Sequence, residues 1–154
     1  MNRKSTAVIF LGISLFSASS LFGQANEIEL TRAVIQTQRQ AIVAENMELS
    51  EDEAQGFWPL YRQYRSEVSL VGDRLLKVVM TFADNYPELP EDTAVWMIDE
   101  FLAIEKAEAE LKASWAPRFR EVLSARQLAR FFQIENKLDA IVQFDLAANI
   151  PLIE

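Results

Sequence analysis

Residues 49–82 read LSEDEAQGFWPLYRQYRSEVSLVGDRLLKVVMTF, and this stretch decides the fold. Its large apolar residues recur at alternating spacings of four and three: Phe57, Tyr61, Tyr64, Val68, Val71, Leu75, Val78 and Phe82. A spacing that averages about 3.5 residues keeps these side chains on one side of a helix, as in helix-packing seams. The stretch therefore predicts one long helix with a single apolar seam.

A capping phrase opens this helix and recurs later in the chain. Ser50 is followed three residues later by Glu53, and Ser124 is followed by Gln127 at the same spacing. Each hydroxyl can accept a hydrogen bond from a free backbone N–H of the first turn while the longer side chain reaches back. Pro90 suits a third helix start, because proline needs no N–H there. We predict that three long helices begin at these points.

Apolar seams also follow the second and third of these starts along the chain. The seam after Pro90 comprises Met97, Phe101, Ile104, Leu111, Trp115 and Val122, with Glu108 in one slot. The seam after Ser124 comprises Phe131, Ile134, Leu138, Ile141 and Ala148, with Asp145 in one slot. A shorter helix from Ile28 to Asn46 precedes them, and its predicted apolar side comprises Val34, Ile35, Ala41 and Ile42. We predict an all-α fold of four helices in which a long kinked helical hairpin, packed by heptad seams, forms a cradle or a bundle.

Two prolines lie inside the predicted helices. Pro59, close to Gly56, removes one backbone hydrogen bond, and Pro117 lies near the end of the third helix. We expect a kink or a restart at Pro59 and a bend at Pro117. The alternative is that each proline begins a new, shorter helix, since proline inside a helix costs about 3 kcal/mol.

The start of the chain is typical of an export signal. Two basic residues precede an apolar core at residues 7–16, and this core of about ten residues is too short for a hydrocarbon layer that needs roughly twenty. The small-x-small pattern at residues 23–25 predicts a signal peptide over residues 1–25, cleaved after Ala25. Cleavage after Gly23 and an uncleaved anchor are the alternatives. We expect a periplasmic or secreted bacterial protein.

The composition limits what the exported chain can do. It contains no histidine and no cysteine, so it lacks the side chains that most often carry chemistry and metal binding near neutral pH. The net charge of −8 disfavours nucleic acid and anionic lipid, although charge also serves solubility alone. We expect residues 26–154 to form one all-helical domain that is not an enzyme, takes no cofactor and binds no nucleic acid.

Two phrases of the chain resemble a known family. Residues 123–127, Leu-Ser-Ala-Arg-Gln, are similar to the Leu-Thr-x-x-Gln phrase of the Spy/CpxP-like periplasmic proteins, and residues 49–53 are a looser copy. Residues 56–61 and 130–139 look like a less-studied branch of that family, described as envelope-stress sensors. The resemblance implies a kinked helical hairpin that forms a homodimer with a thin, cradle-like shape.

The resemblance also implies a function. Chaperone members of the family hold unfolded or stress-exposed envelope proteins on the concave face without ATP, and CpxP-like members restrain a membrane sensor kinase. This chain departs from the family in two respects. The cradle face of the chaperone members is rich in basic residues, whereas this chain is acidic, and the zinc-binding relatives carry histidine or cysteine, which this chain lacks.

Four large side chains lie beside the seams rather than on them. They are Trp58, Leu60, Trp96 and Phe132. We predict that they form an exposed apolar patch that contacts a partner, because such patches on soluble proteins mark interaction sites. The seam residues Phe57, Phe101, Trp115 and Phe131 are instead predicted to be core.

One face of the second helix is basic. Arg62 and Arg65 share a side, and so do Arg74 and Lys77, because each pair is three residues apart. Arg62, Arg65 and Arg74 are our candidates for polar steering of a bound client. The alternative is that these residues form ion pairs with the third helix, at Glu105, Glu108 and Glu110.

We therefore expect an ATP-independent, chaperone-like holder of unfolded or stress-exposed envelope proteins. The alternative is a regulatory accessory that binds the domain of a membrane sensor. We also expect Arg130 and Glu135 to form an ion pair on the last helix, and the apolar tail from Ile150 to Ile153 to fold back on the bundle.

Overall fold

A computed structural model of the chain describes Ile35 and residues 37–153. The chain divides into two compact units, residues 1–38 and residues 39–154, and the fold described below is that of the second unit. The predicted signal peptide and its cleavage site lie outside the described residues. The prediction of one domain from Asn26 onward stays a prediction for the same reason.

Four helices form the described part of the chain, which contains no strand. Residues 37–47 form α1, Glu51–Asn85 form α2, Glu91–Arg120 form α3 and Ala125–Asn149 form α4. The predicted all-α, four-helix fold is confirmed. Within these residues no helix is both long and apolar enough to cross a membrane.

The predicted capping boxes are present at the starts of α2 and α4. The Ser50 hydroxyl accepts from the Glu53 N–H at 3.3 Å, and the Glu53 carboxylate accepts from the Ser50 N–H at 2.8 Å. Ser124 and Gln127 exchange the same two bonds at 3.3 and 2.9 Å. Pro90 is the N-cap residue of α3 and provides no side-chain hydrogen bond. Each start therefore lies where the sequence places it.

A side-chain hydrogen bond joins the two capping boxes. The Gln127 amide donates to the Glu53 Oε1 at 2.8 Å, although the two residues are 74 positions apart. This bond and the bonds from Ser50 hold the pKa of Glu53 below its usual value. The first turns of α2 and α4 therefore lie side by side, at the end of the molecule where the chain turns from α3 into α4.

Both helices continue through their prolines. Pro59 lies within α2 and Pro117 within α3, so the alternative in which each proline begins a new helix is wrong. The carbonyl groups left without a helical partner belong to Gln55 and Ala113. Both of these residues are exposed, so water can satisfy the freed carbonyl groups. This solvation lowers the cost of each proline enough for the helix to persist.

Six aromatic side chains form the core where α2, α3 and α4 meet. This aromatic cluster comprises Phe57, Tyr61, Tyr64, Trp115, Phe119 and Phe131, each at most 2 % exposed. The Phe131 ring lies 4.8 Å from Phe119 and 5.4 Å from Phe57, measured between centroids. Such distances are typical of favourable edge-to-face and tilted ring pairs. Phe119, four residues after Trp115, is a core residue that the predicted seam missed.

Beyond the aromatic cluster, α2 and α3 continue together as an antiparallel hairpin. We call residues 66–111 the arm. Its inner seam buries Val78, Phe82 and Ile104, as the sequence predicts. The Arg74 guanidinium spans the two helices with a bidentate ion pair to Glu100, at 2.7 and 3.1 Å. Residues 86–90 connect the helices at the tip of the arm.

The apolar side predicted for α1 is wrong. Ile35, Ala41 and Ile42 are exposed, and Val34 lies outside the described residues. The buried side consists of Arg39, Val43 and Met47. These three residues are one turn apart, so they share a face that packs on the second unit's core. Arg39 faces inward because a buried carboxylate in the core pairs with it. A search for apolar periodicity cannot identify a buried residue of this kind, because arginine is charged.

Several predicted seam and tail residues are also exposed. Phe101 is 41 % exposed and Ile141 is 60 % exposed, and Ala148 is exposed as well. The predicted fold-back of the tail is wrong, because Leu152 is 89 % exposed and Ile153 is 59 % exposed. A heptad pattern buries a side chain only where another element faces it. The last turns of α4 extend past the aromatic cluster and lose that facing surface.

The two helical glycines of α2 provide a matched test of this packing. A Cβ at Gly56 would lie 2.8 Å from Val122 Cγ1, whereas a Cβ at Gly72 meets nothing within 4 Å. We expect Gly72→Ala to raise the free energy of unfolding by about 0.5–1 kcal/mol, because alanine is the better helix former. We expect Gly56→Ala to lower it by about 1–2 kcal/mol through overpacking. Urea unfolding followed by circular dichroism measures both. Equal shifts in the two variants would contradict the close approach at Gly56.

Candidate functional site

The predicted exposed patch is largely withdrawn from solvent. Trp58, Leu60 and Phe132 are half-buried and pack against the aromatic cluster. The Trp58 ring lies 5.0 Å from the Phe57 centroid, and the Phe132 ring lies 5.2 Å from the Phe131 centroid. These three side chains form the rim of the core, and the expectation that they are exposed is wrong. Their role in binding a partner stays a prediction.

Trp96, the fourth residue of the predicted patch, lies on the arm. It is half-buried, and the Lys77 ammonium lies 5.5 Å from its ring centroid, within the range of a cation–π contact. The two residues line a shallow hollow of about 350 Å³ together with Thr81, Asp92 and Thr93. The structure therefore places Trp96 far along the arm from Trp58, Leu60 and Phe132.

Two of the three candidate arginines already have carboxylate partners. Arg65 donates to Glu135 at 3.0 Å and Arg74 donates to Glu100, while Arg62 is exposed. The alternative, that these arginines form ion pairs, is therefore correct for Arg65 and Arg74. Its predicted partners, Glu105, Glu108 and Glu110, are wrong. An arginine pairs with the carboxylate that lies opposite it on a neighbouring helix, here Glu135 or Glu100. The sequence alone does not show how neighbouring helices are aligned, so it did not identify these partners.

A buried ion cluster joins all four helices. It consists of Arg39 of α1, Arg65 of α2, Lys112 of α3, and Glu135 and Asp139 of α4. The Glu135 side chain is fully buried, and its Oε2 accepts from the Arg39 and Arg65 guanidiniums, each at 3.0 Å. Asp139 accepts from Arg39 at 2.9 Å and from Lys112 at 3.4 Å. The sequence predicts ion pairs for Arg65 and Glu135, although with other partners, and it assigns no such role to Arg39, Lys112 or Asp139.

The predicted pair between Arg130 and Glu135 is wrong. Arg130 donates to Glu48 at 3.1 Å, whereas Glu135 faces the ion cluster. Two residues five apart on a helix are roughly 140° apart around its axis, so they point in different directions. The spacing could have excluded the pair. Glu135 lies one turn after the seam residue Phe131, so it shares the buried face of α4. It was missed as a core residue because a carboxylate does not count in an apolar pattern.

Burial dominates the electrostatics of the ion cluster. Removal from water raises the pKa of Glu135, while the Arg65 and Arg39 guanidiniums act in the opposite direction. Burial also raises the pKa values of Tyr61 and Tyr64, and the nearby Glu135 charge adds to this effect. Among the described residues, three buried side-chain atoms have no hydrogen-bond partner: the Tyr61 hydroxyl oxygen, the Arg65 Nε and the Glu135 Oε1. Such a cluster is costly to disturb, because unpaired buried polar groups are expensive.

An apolar stripe on the outside of α3 is the feature that the sequence analysis missed. We call Val95, Ile98, Phe101 and Leu102 the outer stripe. Their exposed fractions lie between 41 and 58 %. Val95, Ile98 and Leu102 are spaced i, i+3, i+7, which places them on the face of α3 opposite the buried residue Ile104. The sequence contains a sign of this stripe, because α3 has apolar residues on a second face besides the predicted seam.

Comparisons with protein-family models, with curated proteins and with solved structures find no match for this chain. The resemblance to the Spy/CpxP-like proteins therefore rests on the phrases quoted from the sequence and stays a prediction. So does the homodimer that the resemblance implies.

The ion cluster predicts a pH-dependent loss of stability in one variant. We expect Arg65→Met to lower the free energy of unfolding by about 2–4 kcal/mol at neutral pH, because a buried carboxylate loses one of its two guanidinium partners. Loss of Arg65 raises the folded-state pKa of Glu135 further above its unfolded value. The deficit is therefore fully present above the folded-state pKa of Glu135 in the variant. It shrinks as the pH falls toward the folded-state pKa of Glu135 in the wild type, because the unfolded-state value is common to both proteins.

Arg62→Met is the matched control for this measurement. Arg62 lies three residues away on the same helix and is exposed, so its loss is expected to change stability by no more than about 0.5 kcal/mol at any pH. Urea unfolding of both variants between about pH 4 and pH 8 covers the relevant range. A deficit for Arg65→Met that is independent of pH would show that Glu135 does not respond to this arginine.

Proposed function

We propose that this protein is a non-enzymatic, ATP-independent holder of unfolded polypeptides that works outside the cytoplasm. The observation that carries the proposal is the outer stripe of α3. Val95, Ile98 and Leu102 lie together on one helical face, Phe101 lies on its flank, and all four side chains remain about half exposed. Contiguous exposed apolar surface of this kind marks interaction sites on soluble proteins.

The fold does not account for the outer stripe. The arm is held by its inner seam, by the Arg74–Glu100 ion pair and by its continuation into the aromatic cluster. An exposed helix face is normally charged or polar, because apolar side chains gain little by remaining in water. The cost of keeping the outer stripe apolar is explained if the stripe is covered part of the time by another polypeptide.

A helix face also suits a variable client. It offers a ridge of branched and aromatic side chains that extended or helical segments can contact without a shaped pocket. Trp96 and the hollow that it lines with Lys77 lie on the same stretch of α3. The regulatory accessory that binds a sensor domain stays a prediction, because no described contact favours it over the holder.

The proposal predicts protection of aggregating proteins. We expect the purified protein to suppress light scattering by reduced lysozyme or reduced α-lactalbumin, added as unrelated clients. Dithiothreitol starts their aggregation and leaves this protein intact, because it contains no cysteine. We expect Ile98→Ser/Leu102→Ser to raise the concentration needed for half-maximal suppression at least about tenfold, since burying each side chain is worth roughly 1.5–3 kcal/mol.

The double variant Leu70→Ser/Leu152→Ser is the matched control. Its two leucines are 66 and 89 % exposed, more than Ile98 and Leu102, and lie outside the outer stripe. The control therefore removes at least as much exposed apolar area and leaves the proposed site intact. Both double variants are expected to unfold within about 0.5 kcal/mol of the wild type per substitution. The holder function is wrong if the wild type protects neither client. The site is wrong if both double variants lose protection equally.

A further inference from the structure

The charge of this chain is concentrated in the arm. Residues 66–111 contain eleven acidic and three basic residues, a net charge of −8, which equals the net charge of the whole chain. The remainder of the predicted exported chain, residues 26–154, carries a net charge of only −2. A charge spread evenly over the surface would serve solubility, whereas a charge confined to one limb creates a local field that selects partners.

The three cations of the arm are already engaged inside it. Arg74 is paired with Glu100, Lys106 with Glu110 at 3.7 Å, and Lys77 lies over the Trp96 ring. They cannot neutralise the remaining carboxylates without giving up these contacts. Most of the other carboxylates of the arm are exposed, whereas Glu108 is half-buried.

Carboxylates also border the outer stripe directly. Asp99 lies one turn after Val95 and three residues before Leu102, and Glu105 lies three residues after Leu102. Both carboxylates are exposed. Exposed apolar side chains and exposed carboxylates thus alternate on the same face of α3, within the reach of one bound segment.

We propose that the outer stripe selects cationic amphipathic segments of its clients, with apolar side chains on the stripe and lysine or arginine beside Asp99 and Glu105. This inference rests on the proposed function and specifies its client class. The apolar contacts provide most of the affinity, and the carboxylates provide selection and speed of association. A client segment of the opposite charge meets the same apolar surface but is repelled by the arm.

The charge argues against a second copy of this chain as the occupant of the stripe. Two arms that met through their outer stripes would bring net charges of −8 and −8 together, with Asp99 and Glu105 of one copy near those of the other. Like charges across an interface are costly. A cationic segment instead neutralises the arm, so charge complementarity and apolar contact favour the same occupant.

Two short fluorescent peptides test the proposal on the full chain. Both place leucine on one helical face. One places lysine on the other face and its counterpart places glutamate there. At low salt and neutral pH we expect the lysine peptide to bind at least about tenfold more tightly than the glutamate peptide, since several exposed charge pairs each contribute up to about 1 kcal/mol. In about 1 M salt, where the Debye length is about 3 Å, the two affinities are expected to converge.

Charge-reversed variants locate the effect. Asp99→Lys/Glu105→Lys is expected to weaken binding of the lysine peptide about tenfold at low salt and to strengthen binding of the glutamate peptide. Glu45→Lys/Glu121→Lys makes the same change in net charge at exposed positions outside the arm and is expected to leave both affinities within about twofold. Circular dichroism confirms that both variants remain helical.

Each outcome supports or overturns the inference. Equal binding of the two peptides at low salt by a protein that protects reduced lysozyme or α-lactalbumin overturns the charge selection and leaves the holder function standing. Equal effects of the two charge-reversed variants show that net charge acts without the stripe and overturn the site. A wild-type dimer that Ile98→Ser/Leu102→Ser dissociates shows that a second copy covers the stripe, and this also overturns the assignment.

Discussion

The contact of Phe131 with the rings of α2 and α3 positions the rest of the second unit. Its ring lies between 4.8 and 6.1 Å from the centroids of Phe119, Phe57, Tyr64 and Tyr61, and its side chain is fully buried. A side chain of this size that loses all its exposed area is worth roughly 1.5–3 kcal/mol before ring-pair geometry is added. Because one residue of α4 touches both helices of the hairpin, it fixes where α4 lies. The exposed arm is what remains of that hairpin beyond the cluster.

The buried ion cluster depends on this aromatic contact. Phe131 and Glu135 are one turn apart on α4, so seating the phenylalanine also buries the carboxylate. A buried carboxylate is tolerated only with good partners, and here Arg39 and Arg65 supply them from two other helices. Contacts between rings are weakly directional and do not by themselves fix the position of α4 along its axis. The ion pairs of the cluster do, because each requires a particular geometry. A shift of α4 by one turn would keep an apolar face toward the core but leave Glu135 without its guanidinium partners.

The sequence predicted the helices well because their signals are local. Capping boxes at Ser50 and Ser124 involve residues three apart, and the seam of α2 recurs within one helix, so no knowledge of the partner helices was needed. The predictions failed where burial depends on a distant element. Phe101 and Ile141 fit a heptad but face solvent, and Glu135 breaks the pattern but is buried. The candidate site failed similarly, because Trp58 and Phe132 adjoin a core whose position only the tertiary fold defines.

The negative charge of the arm opposes the self-association that its exposed apolar side chains would otherwise favour. A helix with exposed Val95, Ile98 and Leu102 would tend to associate with other copies of itself, since burying such side chains is favourable. Carboxylates among these residues oppose that association, because they repel the arms of other copies at ordinary ionic strength. The same carboxylates attract a segment that is rich in lysine or arginine. One arrangement of Asp99 and Glu105 around the outer stripe thus keeps the surface open against self-association and gives it a preference among other polypeptides.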